Sequence, residues 1–194
     1  VLSPGVPTDL PVIVTIKEQG IPIWGEIELA YHFAKGRLLA ITGTNGKTTT
    51  TSLLGEIMQA YFEDVKVVGN IGIPYTSVAA DTTDETVTVA EISSFQLETA
   101  VDFHPQVSAI LNITPDHLNR HHTMENYIKA KEDITKNQKV NDVCVLNYED
   151  EVLRKFGESL SMKVLWFDSK KPVQNGCYLN GEKIIYVSEC KEEE

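Results

Sequence analysis

A turn that carries two glycines, between an apolar run and a helix-like segment, constrains this chain more than any other feature. The apolar run 38–42 before the turn predicts a buried strand, and the period of residues 48–62 after it predicts a helix. Strand, glycine-bearing turn and helix in this order form the setting of a phosphate-binding loop. The turn itself reads Gly43-Thr44-Asn45-Gly46-Lys47-Thr48-Thr49. The helix positions predicted to face the core are Leu53, Leu54, Ile57 and Tyr61.

The residue types in this turn predict a nucleotide ligand. Glycines let backbone N–H groups converge on one anion, and the helix N-terminus adds partial positive charge there. Lys47 can reach β- and γ-phosphates, and the Thr48 hydroxyl is placed to ligate Mg²⁺. The full phosphate-loop pattern would require glycine where the chain has Ile41, so a chance Gly-Lys-Thr turn is the alternative. The agreement of strand, turn and helix signals favours the functional interpretation.

Apolar runs alternate with amphipathic segments over most of the remaining chain. Helices are predicted over residues 9–19, 27–35, 123–138 and 149–160. Strands are predicted over residues 21–24, 65–68, 86–90, 107–113, 143–146 and 164–167, and a hairpin over 177–187 with its turn at Asn180-Gly181. The runs lack polar alternation, as in strands buried on both faces. The expected fold class is α/β: a mostly parallel doubly wound sheet with a phosphate loop, helices on both faces and a small antiparallel hairpin near the C-terminus.

Composition narrows the possible partners. The 194 residues suffice for one full-sized domain. With 17 basic against 28 acidic residues the net charge is −11, so nucleic acid is not expected as a partner. No apolar run is long enough to span a bilayer, so no membrane partner is expected either. The three cysteines are odd in number and far apart, which favours a reducing cytoplasm over a disulfide framework.

Polar residues downstream of the turn add candidate ligands. Glu91 follows a predicted buried strand, where it could ligate magnesium or could simply end the strand. His117, His121 and His122 lie close together and raise a zinc hypothesis. No cysteine lies nearby and no His-Glu-x-x-His pattern occurs, so zinc is disfavoured and His121 and His122 are expected at a loop surface. Asn70 lies in a Gly-Asn-x-Gly segment that turn chemistry alone explains.

The loop 43–48 resembles the nucleotide loop of the Mur ligases, ATP-dependent amide ligases that build the stem peptide of peptidoglycan. Glu-Ile-Ser-Ser-Phe-Gln-Leu-Glu at 91–98 resembles the segment typical of the family members that add D-glutamate. Ser3-Pro4-Gly5-Val6-Pro7 resembles the stretch that joins the first two domains of those members. The resemblance implies that residues 1–8 end an N-terminal domain or linker and that 9–194 form the central ATP-binding domain. The N-terminal domain and the C-terminal, D-glutamate-binding domain would then be partners supplied by the same protein.

The resemblance also implies roles for individual residues. ATP would be held by Gly43, Thr44, Asn45, Gly46, Lys47, Thr48 and Thr49. Two Mg²⁺ ions would be held by Thr48, Glu91, His117 and a carbamylated Lys131, and the catalytic residues would be Lys47, Glu91, His117 and Lys131. The nucleotide-sugar substrate would contact Ser3, Gly5, Asn70, Ser93 and His117. Residue chemistry alone reads Lys131 as a solvent-facing helix lysine, since most helix lysines are. Asn119 departs from the Asp common in the family, so any role of that side chain is in doubt.

The implied reaction adds D-glutamate to UDP-N-acetylmuramoyl-L-alanine through an acyl phosphate, and the 194-residue chain alone is expected to be inactive. Three alternatives stay open at the level of sequence. The first is another family member, such as the enzyme that adds diaminopimelate or lysine. The second is a phosphate-loop protein that is not a ligase, such as a nucleotide switch or a kinase. The third is a scaffold fragment with a vacant loop.

Overall fold

The computed structural model describes residues 1–188 and 191–193. The helices of this part of the chain are α1 (Pro11–Glu18), α2 (Glu26–Phe33), α3 (Lys47–Gln59), α4 (Ser94–Leu97), α5 (Leu118–His121), α6 (Met124–Glu132) and α7 (Glu151–Ser159). Short 3₁₀ turns occupy Tyr75–Ser77, Ala79–Asp81 and Asp133–Thr135. The strands are β1 (Arg37–Thr42), β2 (Val65–Gly69), β3 (Val87–Glu91), β4 (Val107–Ile110), β5 (Val143–Asn147), β6 (Lys163–Asp168), β7 (Gly176–Asn180), β8 (Lys183–Ser188) and β9 (Lys191–Glu193).

These strands form one sheet in the order β2-β3-β1-β4-β5-β6-β7-β8-β9. The pairs from β2 through β7 are parallel, and β7, β8 and β9 are antiparallel neighbours. The predicted α/β class, with its parallel sheet and terminal hairpin, is therefore confirmed. β1 lies between β3 and β4. The connection after β1 leads to β2 and β3 on one side of it, and the chain then crosses to β4 on its other side. Ligands of open parallel sheets bind at such a switch point, beyond the carboxyl ends of the strands.

Apolar clusters cover both faces of the sheet. One cluster joins side chains from α2, α4, α6 and α7 to Leu38 and Ala40 of β1. The other joins Leu54 and Met58 of α3 to Leu39 and Ile41, which point to the opposite face of the same strand. All five residues of β3 are buried. The strand that ends at Glu91 is thus packed on both faces, so that Thr88 and Glu91 are buried together with its apolar residues.

Of the four helix positions predicted to face the core, Leu54 of α3 packs against a core cluster as predicted, and the other three predictions are wrong. Leu53 and Ile57 are exposed, and Tyr61, beyond the end of the helix, is 80% exposed. The buried positions are Thr51 and Gly55. A Cβ on Gly55 would lie 2.4 Å from Cγ2 of Val67 in β2, so the helix approaches the sheet at its smallest residue. Apolar periodicity identified the helix but not the face that close packing selects, because two faces carried apolar side chains.

Other predictions at the chain's periphery also need correction. Residues 21–24 form no strand; the carbonyl oxygen of Trp24 accepts the N–H of Leu2, and Leu2 forms an isolated bridge with Gly25. Asn180 pairs with Lys183, so the hairpin turn comprises Gly181, at φ +62°, and Glu182 rather than Asn180-Gly181. β9 was not predicted. None of the helices in the described ranges combines the length and the apolarity that a membrane crossing requires. Of the three cysteines, the structure describes two, and Cys190 lies outside the described residues.

Gly157 of α7 supports a stability prediction. Alanine is favoured over glycine within helices by about 1 kcal/mol. Here, however, a Cβ would lie 2.4 Å from Cη2 of Trp166, in β6. We expect Gly157→Ala to lower the free energy of unfolding by about 1–3 kcal/mol, because the half-buried indole packs against the core and cannot yield easily. Urea denaturation followed by circular dichroism measures this.

The exposed neighbour Glu158 provides the control for this measurement. Glu158→Ala should change the free energy of unfolding by less than about 0.5 kcal/mol. Trp166→Leu combined with Gly157→Ala should cost less than the sum of the two single changes, since the smaller side chain leaves room for the methyl group. An unchanged or raised stability of Gly157→Ala alone would contradict the packing described.

Candidate active site

The turn between β1 and α3 forms an open cradle at the carboxyl edge of the sheet. Gly46 caps the helix with φ +83°, a left-handed conformation that glycine adopts without strain. Asn112, just after β4, braces the cradle: its carbonyl accepts the N–H of Thr44 at 2.9 Å, and its side-chain oxygen accepts the N–H of Asn45 at 2.8 Å. The amide of Asn112 also donates to the Asn45 carbonyl at 3.0 Å. Asn112 was not among the predicted site residues, although its place directly after a parallel strand is a signal that could have identified it.

Lys47 lies over this cradle. Its Nζ donates to the carbonyl oxygens of Gly43 at 3.0 Å and Thr44 at 2.9 Å. Thr48 and Thr49 occupy the exposed first turn of α3. An ammonium, a helix N-terminus and turned backbone amides therefore gather at one point, and this combination binds phosphate groups.

The carboxylate of Glu91, at the end of β3, contacts residues that follow two other strands. Its side chain is 1% exposed, at the end of β3. Oε2 accepts the Thr48 hydroxyl at 2.8 Å, from the turn after β1. Oε1 accepts the Asn70 amide at 2.8 Å, from the turn after β2. A carboxylate that merely ends a strand would not be buried against a phosphate cradle, and the paired oxygens of Glu91 and Thr48 are of the type that hard cations prefer.

His117 lies in the loop after β4. Its backbone has φ +50° and ψ +30°, a left-handed conformation that costs a residue other than glycine about 1–2 kcal/mol. Its N–H donates to Asp116 Oδ1 at 2.8 Å, and its ring centroid lies 4.9 Å from that of Phe95. The ring is half exposed, so it can meet a ligand. Strained backbone of this kind concentrates at functional sites.

Lys131 is not a solvent-facing helix lysine, because only 2% of it is exposed. Its Nζ donates to the Gly43 carbonyl at 2.7 Å, the same oxygen that Lys47 contacts, and lies 4.8 Å from the ring centroid of Tyr127. Burial, and next the charge of Lys47, lower the pKa of Lys131 from 10.5 to about 7. The Tyr127 hydroxyl lies 2.9 Å from Thr44 Oγ1 and so ties α6 to the cradle as well.

A cavity of about 260 Å³ gathers most of the predicted site residues. Its lining comprises Lys47, Asn70, Ser93, Ser94, Phe95, Asp116, His117, Tyr127 and Lys131. Thr48 and Glu91 connect to it through the hydrogen bond between Glu91 and Asn70. The predicted substrate residues Ser3 and Gly5 do not line this cavity. They lie in the N-terminal segment, where the Ser3 carbonyl accepts the N–H of Val6 at 2.9 Å.

Two further side chains lie near the cavity, and one of them, His121, differs from expectation. Ser93 caps α4, and its hydroxyl and N–H exchange hydrogen bonds with Gln96 in a capping box. His121 is buried, contrary to the loop-surface prediction, and its Nε2 lies 2.9 Å from Ser94 Oγ. Burial lowers the pKa of His121. His122 is exposed as predicted, and Asn119 is exposed too.

The parallel sheet, the glycine-bearing turn at its carboxyl edge and the buried lysine beside it define an α/β domain of the phosphate-loop type. Residues 41–192 match the family described as the Mur ligase middle domain, and the chain belongs to that family. The UDP-N-acetylmuramoylalanine–D-glutamate ligase of Lachnoclostridium phytofermentans is 59% identical over 192 residues, 99% of this chain and 42% of the relative. The ligase of that name from Clostridioides difficile is 53% identical over 186 residues, 95% of this chain and 41% of the relative.

Solved structures share the fold. MurF ligase from Thermotoga maritima, in complex with ADP, is 24% identical with a TM-score of 0.59, over 82% of this chain and 39% of that one. A UDP-N-acetylmuramoyl-L-alanyl-D-glutamate–2,6-diaminopimelate ligase is 20% identical with a TM-score of 0.63, over 92% and 40%. The chain thus spans about two fifths of the length of the curated relatives it matches.

The lowered pKa of Lys131 predicts a pH dependence of stability. Between the folded value of about 7 and the ordinary 10.5, the folded chain binds fewer protons at this group than the unfolded chain. The free energy of unfolding must then rise with pH in this window, by at most about 1.4 kcal/mol per pH unit. In CO₂-free buffer, Lys131→Met should lose this contribution, as measured by urea denaturation at about pH 8 and about pH 9.5.

Lys129 supplies the matched control on the same helix. It is exposed and paired with Asp133 at 2.7 Å, an arrangement that raises its pKa. Lys129→Met should therefore leave the slope of stability between the two pH values unchanged. Equal slopes for the Lys131→Met variant and the unaltered chain would contradict the buried-amine description.

Proposed function

We propose that this chain supplies the ATP-binding part of an ATP-dependent ligase that joins D-glutamate to UDP-N-acetylmuramoyl-L-alanine. The observation that carries the proposal is the convergence of Lys47, Glu91 and Lys131 on one cradle, with the Gly43 carbonyl bound by both lysines. The names of the relatives at 59% and 53% identity support D-glutamate over other amino acids. The ADP bound to the T. maritima relative supports ATP as the nucleotide.

The proposed ligation has two steps. An oxygen of the alanyl carboxylate attacks the γ-phosphorus of ATP, the bond to the bridging oxygen breaks, and ADP leaves. The amine of D-glutamate then attacks the acyl carbon, phosphate leaves, and the amine loses a proton. Lys47 and the cradle N–H groups would hold the β- and γ-phosphates, and positive charge placed there stabilises the transferring phosphoryl group. These residues therefore serve the first step.

The donor set fits divalent metal. Glu91 and Thr48 offer two oxygens 2.8 Å apart, and we assign them to one Mg²⁺. Lys131 as an amine is a poor magnesium ligand, but the neutral amine can add CO₂ and release a proton, which leaves a carbamate with oxygen ligands. We assign this carbamate and His117 to the second Mg²⁺. When bound, the ions offset the repulsion between the triphosphate and the acceptor carboxylate.

The substrate contacts complete the proposal. Asn70 donates one amide N–H to Glu91, which leaves its Oδ1 and its second N–H for the nucleotide-sugar. Ser93 and His117 line the same cavity, and Ser3 and Gly5 would contact the substrate from the N-terminal segment. A cytoplasmic location belongs to the proposal, in agreement with the free thiols of Cys144 and Cys177.

Amino-acid dependence tests the substrate assignment. The intact protein, supplied with Mg²⁺, ATP and UDP-N-acetylmuramoyl-L-alanine, should release phosphate when D-glutamate is added. Lysine and diaminopimelate should give none, because their side chains and charge differ from those of the proposed substrate. Phosphate release with either of them instead would favour another member of the family, and release without any amino acid would favour a hydrolase or switch.

Lys131 distinguishes the ligase from a phosphate-loop protein of another class. Lys131→Ala should lower ligation by about 10²–10³-fold, the range seen when a charge-stabilising group is removed. Short carboxylates such as formate or acetate should restore part of the rate, since they can supply the missing oxygens. Lys129→Ala, on the exposed side of α6, is the control and should keep full activity. Full activity of Lys131→Ala would favour the alternative class.

A further inference from the structure

Arg120 ties the N-terminal segment to the rest of the molecule. Its guanidinium forks onto Glu98, with Nη2 at 2.6 Å from Oε2 and Nε at 3.2 Å from Oε1. The same Nη2 donates to the carbonyl oxygen of Val6 at 3.0 Å. Thr8 Oγ1 adds a longer contact of 3.5 Å to Glu98. Segment 1–8 is thus held near its end by a charged pair that belongs to the α4 and α5 regions, in addition to the contacts of Leu2 with Trp24 and Gly25.

Arg120 also reaches the loop that carries His117. Its Cζ lies 5.2 Å from the ring centroid of Phe95, which itself lies 4.9 Å from the His117 ring. The backbone N–H of Arg120 donates to the His117 carbonyl at 2.9 Å. Because His117 has a strained left-handed backbone, its orientation depends on such contacts from its surroundings.

A second set of contacts fixes the far side of the same loop. The buried His121 stacks on Phe95 at 5.5 Å, and its Nδ1 lies 3.6 Å from Glu98 Oε1. Asn126 donates to the His121 carbonyl at 2.9 Å. Glu98 therefore faces Arg120 on one side and His121 on the other, and Phe95 lies between these residues and His117.

The Arg120–Glu98 pair differs from an ordinary surface ion pair. Both side chains are about 15% exposed, at 14% and 15%, and the fork is bidentate. Bidentate guanidinium–carboxylate pairs fix geometry as well as charge, whereas exposed pairs contribute little. A partly buried ion pair does not by itself indicate added stability. We therefore consider the effect of this pair on the positions of neighbouring side chains.

We propose that Arg120 is a positioning residue that couples the N-terminal segment to the orientation of His117. A displacement of Val6 would shift the guanidinium of Arg120 through their hydrogen bond. The guanidinium would in turn shift the Phe95 ring, against which His117 packs. The coupling itself follows from the contacts of this chain, while its consequence for ligation rests on the proposed function. A movement of the N-terminal segment would then change the orientation of His117 in the cavity.

Two nuclear magnetic resonance signals in the intact protein test the coupling without an activity assay. Ring ¹³C labels on histidine report the environment of His117, beside those of His32 and His104 as internal references. Val6-Pro7 is the Val-Pro step of this chain, so ¹³C-carbonyl valine with ¹⁵N proline reports the Val6 carbonyl. Arg120→Ala should shift both the His117 and the Val6 signals and leave those of His32 and His104 in place.

Arg154 provides a matched control. It too lies over an aromatic ring, 5.5 Å from the centroid of Tyr148, and donates to a backbone carbonyl at 2.8 Å. Arg154→Ala should leave the His117 and Val6 signals unchanged. If Arg120→Ala does not fold, Glu98→Gln and Arg120→Lys replace it in the same experiment. Each should give smaller shifts of the His117 and Val6 signals.

Kinetics of the same variants test the consequence for ligation. With Arg120→Ala, KM for the nucleotide-sugar should rise about tenfold at nearly unchanged kcat, so that kcat/KM falls about tenfold, which corresponds to about 1.4 kcal/mol, while KM for ATP stays within about twofold. A merely structural role would lower kcat for all substrates and leave both KM values unchanged. That result would overturn the positioning role.

The spectroscopic outcomes separate the two proposals. A shift of Val6 without a shift of His117, or equal shifts of all the histidines, overturns the coupling. Joint shifts of Val6 and His117 in a protein that fails to ligate D-glutamate support the coupling and remove the proposed function. Joint shifts with the tenfold kinetic effect support both.

Discussion

One carbonyl oxygen, that of Gly43, accepts hydrogen bonds from both Lys47 and Lys131, and the geometry of the site depends on it. The acceptor belongs to the turn after β1, one lysine to α3 and the other to α6. The contact thereby holds a helix from a distant part of the sequence against the phosphate cradle. Two ammonium groups on one oxygen repel each other, and this repulsion adds to burial in lowering the pKa of Lys131.

The strand order explains why these groups can meet. β1 lies between β3 and β4, so the turns that follow β1 and β3 and the loop that follows β4 all open at the same edge. Thr48, Glu91 and His117 each occupy one of those connections. Their proximity is a property of parallel pairing around a switch point, and it requires no direct sequence relation among them.

Much of this could be predicted from sequence, because local chemistry determines it. The cradle was predicted from its glycines and their position between a strand and a helix. The parallel sheet was predicted from apolar runs without polar alternation. The face of α3 was not, since a close approach at Gly55 overrides the apolar pattern.

The same distinction between local chemistry and packing of remote segments applies to the site residues. Glu91 could be placed at a strand end by local reasoning, but the burial of Lys131 and His121 could not, because it arises from packing between segments remote in sequence. For Lys131 only the family resemblance pointed inward. The bracing of the cradle by Asn112 depends on which strand neighbours β1, and single-sequence reasoning does not supply that order.

The burial of Lys131 has opposite effects on stability and on chemistry. Burial of the ammonium and the charge of Lys47 both lower the pKa of Lys131, and each disfavours the charged amine in the folded chain. The same desolvation leaves a substantial neutral fraction near neutral pH, and the neutral amine is the form that can react with CO₂. A carbamate at this position would replace an unfavourable cation by an anion facing Lys47, so the modification would relieve the repulsion that the unmodified pair creates at Gly43. The burial of Lys131 and the nearby charge of Lys47 therefore underlie both its cost to folding and the reactivity proposed for it.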